Sequence, residues 1–336
     1  MEKDLILHSG IPIETIPAAG VHGVGWRRMP GNLVLLAKGY GRSREILRRF
    51  RPDVLFFTGG FIAVPMAIAG RQLPSLLYVP DIEPGLALKT LVHFSDQIAV
   101  TVEGSREFLP RRARVTVTGY PTRPDLKKWS LDEARKALDL SSELPTLLAF
   151  GGSKGARSIN RALITALPDL LPEMQVIHIT GQLDWEENAE SQNQLAGRLN
   201  DKSWQDRYHA YPYLHEQMGA ALSAADLVLS RAGASTLGEF PLFGLPAILV
   251  PYPYAWQYQK TNAQFLEDRG AAVILRDEDL SSRLAAQVLG LMRDKERRQR
   301  MHLAMQGLAQ PVAAKSISKL LRKLAGEPGP GKEING

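Results

Sequence analysis

The chain of 336 residues contains no cysteine, which excludes disulfide bonds and cysteine-ligated zinc. It also lacks any apolar run close to the roughly 20 residues that a membrane-spanning helix needs. Its seven histidines show no metal-ligand spacing such as His-Glu-x-x-His, so the sequence predicts no metal site. The structure must therefore rest on ordinary hydrophobic cores. The length suggests two domains, and 44% apolar residues are enough for both cores.

Positive charge is in excess, with a formal net charge of +6 and a pI near 9.4, which favours an anionic partner. No zinc-finger, RRM or helix-turn-helix signature is present, so we expect no nucleic-acid partner. An anionic membrane surface fits better, because arginines and apolar residues are interleaved between Trp26 and Arg51. The alternative for this basic segment is an amphipathic helix packed on its own sheet, with a solvated basic face.

A strand, a loop of small residues, a helix and a strand are predicted between Asp226 and Val250. The loop runs from Arg231 to Ala234, and a helix is predicted to open at Ser235. Such a helix start brings main-chain N–H groups close to an anion. The carboxylate of Glu239 would then stand beside the anion and hold a sugar hydroxyl. The alternative is a capping box, Thr-x-x-Glu, that serves the helix alone.

A second glycine-rich loop, GGSKGAR at 151–157, follows a predicted strand and precedes a predicted helix. Two helix starts at the carboxyl ends of strands in one domain are expected to converge on one crevice, which suits a nucleotide diphosphate. The loop has neither the Walker spacing nor Gly-x-Gly-x-x-Gly. Nucleoside triphosphate hydrolysis and dinucleotide redox chemistry are therefore disfavoured.

Six regions together resemble the MurG family, with a similarity that runs from about Asp4 to about Leu324. They are GGSKGARSIN, TGQLDWEE, the region around Tyr213-Leu214-His215, AADLVLSRAGASTLGE, GLPAILVPYP and QKTNA. Members are peripheral enzymes on the cytoplasmic face of the cell membrane. They transfer N-acetylglucosamine from UDP-N-acetylglucosamine to lipid I, an undecaprenyl-diphosphate-linked muramyl peptide. The product, lipid II, serves peptidoglycan synthesis and thereby cell shape and division.

The resemblance implies an α/β protein of the GT-B fold, with two Rossmann-like domains facing each other across a cleft, and implies neither a metal ion nor a cofactor. The expected divisions are an acceptor- and membrane-facing domain at 1–124, a donor domain at 125–310, a helix crossing back to the first domain at 311–326, and a disordered tail at 327–336. Asp277-Glu278-Asp279 has the form of a D-x-D metal motif, but it is better interpreted as the acidic start of a helix.

The resemblance also implies the residues of the donor site. The main chain of the two glycine-rich loops would hold the diphosphate, Glu239 the ribose, the main chain near Leu214 the uracil, and Gln259 with Asn262 the sugar hydroxyls. The full predicted donor set is Gly152, Ser153, Gly155, Leu214, Arg231, Ala234, Ser235, Thr236, Glu239, Gln259 and Asn262.

On the acceptor side the resemblance is looser. It implies an acceptor loop at Gly59 and Gly60, and it makes Asp81 and Arg123 the acceptor-side candidates for catalysis, without naming the general base. Asp81 stands where the family has an asparagine, and Tyr120 also replaces an asparagine. Three functions stay open: transfer to lipid I, transfer to another lipid acceptor, or UDP-sugar binding without transfer.

The chain enters the family pattern midway through the first domain, at Met1 to Asp4. Family members begin with a strand, a Gly-rich loop ending in histidine, a helix and a second strand. We therefore expect the upstream DNA to continue in frame through a unit of about 35–40 residues, the size of a strand-helix-strand element, and the N-terminal domain to be incomplete without it.

Overall fold

The computed structural model describes residues 10–18, 29–152, 155–196, 202–253 and 258–326. They form two compact units. The first comprises the described residues up to Pro80, together with Pro84–Thr118 and the residues from Lys315 onward. The second comprises Asp81–Glu83 and Gly119–Ala314.

The first unit is built on a parallel sheet of four strands in the order β1-β2-β3-β4. β2 is buried along its whole length because helices cover both faces of the sheet, and its continuous apolar run reflects this. The strands are β1 (Leu55–Phe57), β2 (Ser75–Val79), β3 (Gln97–Val100) and β4 (Val115–Val117).

Successive residues of β2 belong to two cores, as the alternation of a strand requires. Leu77 points to a core shared with the helices that follow β1 and β2, whereas Leu76 packs with Ile317 near the end of the chain. The first unit has three helices ahead of β3, namely α1 (Met29–Phe50), α2 (Ala63–Ala69) and α3 (Leu86–Leu91).

The second unit is built on a parallel sheet of six strands in the order β10-β9-β8-β5-β6-β7. The chain moves outward in one direction from β5 to β7 and then returns to the other side of β5 with β8. The boundary between β5 and β8 is therefore the topological switch point, where ligands bind in such sheets. The strands are β5 (Thr146–Phe150), β6 (Gln175–Ile179), β7 (Tyr208–Tyr211), β8 (Leu227–Ser230), β9 (Ala247–Leu249) and β10 (Ala272–Ile274).

One large core beneath this sheet is covered by two helices that lie side by side. Ile159, Leu163 and Leu167 of the first recur at helical spacing and are fully buried, and Leu284 and Val288 of the second do the same. The remaining helices are α4 (Leu131–Ala137), α5 (Arg157–Leu170), α6 (Trp185–Ala196), α7 (Met218–Ala224), α8 (Glu239–Phe243), α9 (Tyr258–Glu267), α10 (Leu280–Arg293), α11 (Lys295–Gln306) and α12 (Ala313–Leu324).

The acidic run Asp277–Asp279 forms a 3-10 turn immediately ahead of α10, so the prediction that it starts a helix is confirmed. None of the helices within the described ranges is long and apolar enough to cross a membrane.

Candidate functional site

The two glycine-rich loops leave the sheet of the second unit side by side. Phe150, the last residue of β5, is paired with Ser230, the last residue of β8. The loops at 151–156 and 231–238 therefore start at neighbouring carboxyl ends, at the switch point. The two loops thus begin side by side, while their convergence on one crevice stays a prediction.

The first loop is held tightly against the neighbouring strand. Gly155 has φ +82°, and its N–H donates to the carbonyl of Gly152 at 3.0 Å. A Cβ at position 155 would lie 2.2 Å from the carbonyl oxygen of Thr180, just past the end of β6. Only glycine fits this position, for conformation and for space. Ser153, a predicted donor residue, lies outside the described residues.

α5 begins directly after this loop, with Ala156 at its N-cap. An alanine side chain cannot accept a hydrogen bond from the first turn, so the first N–H groups of the helix are left for another acceptor. α5 has 14 residues, and a helix start of this kind favours an anion such as a phosphate.

A buried polar chain supports the loop from below. The Asn160 amide of α5 donates to the Thr180 carbonyl at 2.9 Å and to Asp184 at 3.1 Å. His178 of β6 lies within 3.0 Å of the Asn160 oxygen through Nε2, and within 2.7 Å of the Tyr208 hydroxyl through Nδ1. Because the amide oxygen only accepts, Nε2 carries the proton and Nδ1 accepts from Tyr208.

Burial lowers the pKa of His178 to about 3, so the ring is neutral at physiological pH. In the sequence, His178 is only one of seven histidines without metal-ligand spacing. Its two partners belong to two other elements, α5 and β7, and no local pattern indicates them.

The second loop differs from its prediction. Ala234–Leu237 is a 3-10 turn, and α8 begins only at Glu239. The predicted helix start at Ser235 was therefore wrong. Gly238 has φ −126°, outside the helical range, and separates the turn from the helix.

The capping-box alternative is also not formed. The Thr236 hydroxyl donates to the Gly233 carbonyl at 2.7 Å and closes the turn. The carboxyl group of Glu239 forms a hydrogen bond with the side chain of Ser235. The N-cap of α8 is Gly238, which makes no side-chain cap. Glu239 is thus placed beside the loop without being used as a helix cap.

The Glu239 carboxyl is mostly buried, and burial raises its pKa. The positive charge of Arg123 and the hydrogen bond from Ser235 oppose this shift. Arg123 also lies 3.4 Å from the carbonyl of His215, the residue after the buried Leu214. Arg123, a predicted acceptor-side residue, is thus near both Glu239 and the main chain beside Leu214, the predicted ribose and uracil contacts.

Tyr120 packs against the main chain of the second loop, since a Cβ on Gly238 would lie 2.6 Å from the Cβ of Tyr120. Burial, followed by the charges of Glu239 and Asp81, raises the pKa of its phenol to about 12. The Tyr120 hydroxyl is therefore neutral at physiological pH and within electrostatic range of both carboxyl groups. Sequence analysis noted the residue only as a departure from the family.

Asp81 and Asn262 are bonded to each other. The fully buried Asn262 amide donates to Asp81 Oδ1 at 2.7 Å and to the Ala232 carbonyl at 3.1 Å, and its oxygen accepts from the Ile82 N–H at 3.1 Å. Burial raises the pKa of Asp81, against the hydrogen bond from Asn262. Gln259 accepts from the main-chain N–H of Tyr252 at 2.9 Å.

The guanidinium of Arg231 joins several chain segments at the switch point. It donates to Asp277 at 2.5 Å, to the Ser158 hydroxyl at 2.8 Å and to the Val250 carbonyl at 3.1 Å, and it lies 5.2 Å from the ring centre of Tyr252. Its side chain is only 11% exposed. The role of Arg231 in donor binding stays a prediction.

The predicted acceptor loop lies in the first unit, between β1 and α2. Gly59 and Gly60 have φ +116° and +81°, and the N–H of Ala63 donates to the carbonyl of Gly60. The loop is a tight turn that exposes main chain. Among the described residues, no group of three or more histidine, aspartate and glutamate side chains is placed to hold a metal ion.

Comparison with known families gives two matches along the chain. The glycosyltransferase family 28 N-terminal domain matches residues 1–115, and the C-terminal domain of the same family matches residues 146–318.

Two relatives carry the same name, UDP-N-acetylglucosamine--N-acetylmuramyl-(pentapeptide) pyrophosphoryl-undecaprenol N-acetylglucosamine transferase. The protein of Roseiflexus sp. (strain RS-1) is 38% identical, over 96% of this chain and 81% of its own length. That of Desulforudis audaxviator (strain MP104C) is 36% identical, over 97% of this chain and 88% of its own.

Among solved structures, Acinetobacter baumannii MurG has a TM-score of 0.73 at 25% identity, covering 96% of this chain and 88% of that one. A UDP-GlcNAc 2-epimerase from Neisseria meningitidis, bound to UDP-GlcNAc, has a TM-score of 0.64 at 13% identity, over 86% of this chain and 81% of its own. The epimerase shows the fold alone. The predicted α/β class and GT-B fold are confirmed.

Proposed function

The chain belongs to the MurG family of glycosyltransferases, and we propose that it transfers N-acetylglucosamine from UDP-N-acetylglucosamine to lipid I to form lipid II. The observation that carries the proposal is the pairing of two glycine-rich loops at the switch point, with Glu239 beside the second loop. Through lipid II the activity would serve peptidoglycan assembly, cell shape and division.

The diphosphate of the donor is proposed to lie between the two loops. Main-chain N–H groups at Gly152, Ser153, Ala234 and Ser235, with the Ser153 hydroxyl, would bind it. Gly155 and Thr236 would shape the two loops through their bonds to Gly152 and Gly233. Negative charge grows on this diphosphate as the bond to the sugar breaks. Fixed N–H donors stabilise that charge in the transition state more than in the ground state, which accelerates transfer.

The rest of the donor is proposed to be held by side chains around these loops. Glu239 would accept from the ribose hydroxyls, the main chain at Leu214 would bind the uracil, and Gln259 with Asn262 would bind the sugar hydroxyls. The acceptor hydroxyl attacks the anomeric carbon from the face opposite the leaving UDP, so that its configuration inverts, and a base removes the proton. Gly59, Gly60, Asp81 and Arg123 are the proposed acceptor-side groups.

The test is a transfer assay with UDP-N-acetylglucosamine and lipid I, in which Glu239→Ala is compared with the unaltered protein. We expect the unaltered protein to transfer the sugar. In the variant, the free energy of UDP-sugar binding should weaken by about 1.5–3 kcal/mol, the scale of a hydrogen bond to a charged group. Unchanged UDP affinity in calorimetric titration of the folded variant would refute the ligand role. Normal donor binding with no transfer to lipid I would favour another lipid acceptor. That alternative follows from Asp81, which stands where the family has an asparagine.

We also propose that α1 binds an anionic membrane surface at the cytoplasmic face, which makes the protein peripheral. Leu33 and Val34 are each 54% exposed, and Arg44 lies 6.0 Å from the ring centre of the exposed Tyr40 on the same helix. Exposed apolar side chains flanked by arginines suit the boundary between headgroups and acyl chains. The predicted Trp26, Arg27 and Arg28 lie outside the described residues.

Sedimentation with phospholipid vesicles tests this surface. We expect binding to anionic vesicles that weakens with salt, little binding to neutral vesicles, and weaker binding by the double variant Leu33→Ser/Val34→Ser. The alternative, a solvated basic face, predicts no difference between the double variant and the unaltered protein.

A further inference from the structure

Three side chains at the switch point form a closed ring of hydrogen bonds. Arg231 Nη1 donates to Asp277 Oδ1 at 2.5 Å, and Arg231 Nη2 donates to the Ser158 hydroxyl at 2.8 Å. That hydroxyl donates in turn to the same oxygen of Asp277 at 2.8 Å. One carboxylate oxygen therefore holds both a guanidinium and a hydroxyl, and each member of this Arg231–Ser158–Asp277 cluster contacts the other two.

The cluster joins the carboxyl ends of four adjacent strands. Arg231 directly follows β8 and opens the second glycine-rich loop, whereas Ser158 lies in the first turn of α5, after the loop that follows β5. Asp277 begins the 3-10 turn after β10, and Arg231 also donates to the Val250 carbonyl after β9 at 3.1 Å. These strands are neighbours in the sheet, in the order β10-β9-β8-β5. The cluster therefore connects the two glycine-rich loops directly.

The charged pair of the cluster is largely shielded from water. The side chain of Arg231 is 11% exposed and that of Asp277 is 23% exposed. A partly buried charge pair is screened less than a surface pair, so it contributes more to holding its two segments together. The next residue, Glu278, is 69% exposed and pairs with Arg276, which is 67% exposed. The acidic run thus contains one carboxylate that belongs to the switch point and one that lies at the surface.

We propose that Asp277 and Ser158 are positioning residues for donor binding, because through Arg231 they set the distance between the two glycine-rich loops. The inference rests on the proposed binding of the donor diphosphate between these loops. Since the N–H groups that would bind it belong to both loops, the diphosphate can bond to both sets only at the right separation. The cluster fixes that separation before the donor arrives, which lowers the cost of ordering the site on binding. Asp277 thereby has a role beyond the start of α10.

The alternative is that the charge of Arg231 acts on the diphosphate directly and that Asp277 only neutralises it. Two substitutions separate these roles, because one changes the contacts and the other changes the charge. Ser158→Ala keeps both charges and removes the hydroxyl that joins α5 to the cluster. Asp277→Asn removes the negative charge and keeps an oxygen that accepts from Arg231 and Ser158. Glu278→Ala is the control, since it removes a negative charge of the same acidic run outside the cluster.

All proteins are examined by urea unfolding and by calorimetric titration with UDP and with UMP, which has one phosphate fewer. We expect Ser158→Ala to lower UDP affinity about fivefold or more and UMP affinity less, so that the ratio of UDP affinity to UMP affinity falls. Asp277→Asn and Glu278→Ala should keep this ratio within about twofold of that of the unaltered protein. Ser158→Thr keeps the hydroxyl and should also keep the ratio, and it decides the question if Asp277→Asn does not fold.

A purely structural role of Ser158 would lower the resistance of Ser158→Ala to urea and leave its affinity ratio unchanged, which would overturn the proposal. An equal fall of the ratio in Glu278→Ala would overturn it as well. A rise in UDP affinity in Asp277→Asn would show instead that Arg231 acts on the diphosphate directly. Failure of the proposed donor site looks different, because the unaltered protein would then bind neither UDP nor UMP, and the inference would fall with it.

Discussion

Replacing Gly155 with alanine should lower the free energy of unfolding of the second unit by about 3 kcal/mol or more. Two costs combine. A φ of +82° is disfavoured for alanine by about 1–2 kcal/mol, and the added Cβ would lie 2.2 Å from the Thr180 carbonyl oxygen. That oxygen is main chain and also accepts from Asn160, so it cannot rotate away as a flexible side chain would.

The loop itself must therefore move, and UDP affinity should fall about tenfold or more, which corresponds to about 1.4 kcal/mol. Gly270→Ala is the matched control. Gly270 also has a positive φ, +69°, but nothing lies within 4 Å of an added Cβ, so it carries the conformational cost without the clash. Urea unfolding and calorimetric titration with UDP compare the two variants. Equal losses of stability, or unchanged UDP affinity in Gly155→Ala, would contradict the packing argument.

The stability of the second unit should also fall steeply in mild acid because of His178. Its pKa is lowered to about 3 by burial, whereas in the unfolded chain a histidine titrates near 6.5. Below about pH 6.5 the unfolded state binds a proton that the native state does not. This histidine therefore contributes a loss of about 1.4 kcal/mol per pH unit between about pH 6.5 and pH 3, or about 2 kcal/mol at pH 5.

Comparison of variants isolates this contribution from the carboxyl groups. Glu239 and Asp81 have raised pKa values and act in the opposite sense, so the difference between proteins is the useful quantity. His178→Gln keeps an N–H for Asn160 but does not titrate. It should be less stable at pH 7.5 and should lose less of its stability on acidification. His93→Gln, at an exposed position, should follow the unaltered protein. Urea unfolding at pH 5.0 and 7.5 measures how much the free energy of unfolding of each protein changes between the two pH values. An identical change in His178→Gln and in the unaltered protein would count against a neutral buried ring.

Local patterns predicted the strands around the two glycine-rich loops and the position of both loops at strand ends. Apolar runs such as Leu147 to Phe150 fix the strands, and the parallel pairing of β5 with β8 brings the loops together. The start of α8 was missed because Ser235 and Thr236 suit a 3-10 turn as well as a helix start. The non-helical backbone of Gly238 separates this turn from α8, so the helix begins only at Glu239.

Contacts between distant residues could not be predicted. Asp81 and Asn262 are 181 residues apart in the chain, and nothing in either neighbourhood indicates the other. His178 meets Asn160 and Tyr208 only after β6, α5 and β7 have packed. The family resemblance indicated which residues bind the ligand. It could not show that the amide of Asn262 donates to Asp81 and Ala232, because these contacts depend on the tertiary structure.

Helix α12 makes the first unit the last to be completed on the ribosome. Ile317 of this helix packs on Leu76 and Tyr78 of β2, yet the ribosome must first synthesise Gly119–Ala314, nearly all of the second unit. At about 5–20 residues per second this takes on the order of 10–40 s. For that interval one face of a parallel sheet is exposed in the nascent chain. The second unit needs no residue beyond Ala314, because its other segment, 81–83, is synthesised earlier. We therefore expect the donor-binding unit to mature first during translation, and the emerging first unit to need protection from aggregation until residues beyond Lys315 leave the exit tunnel.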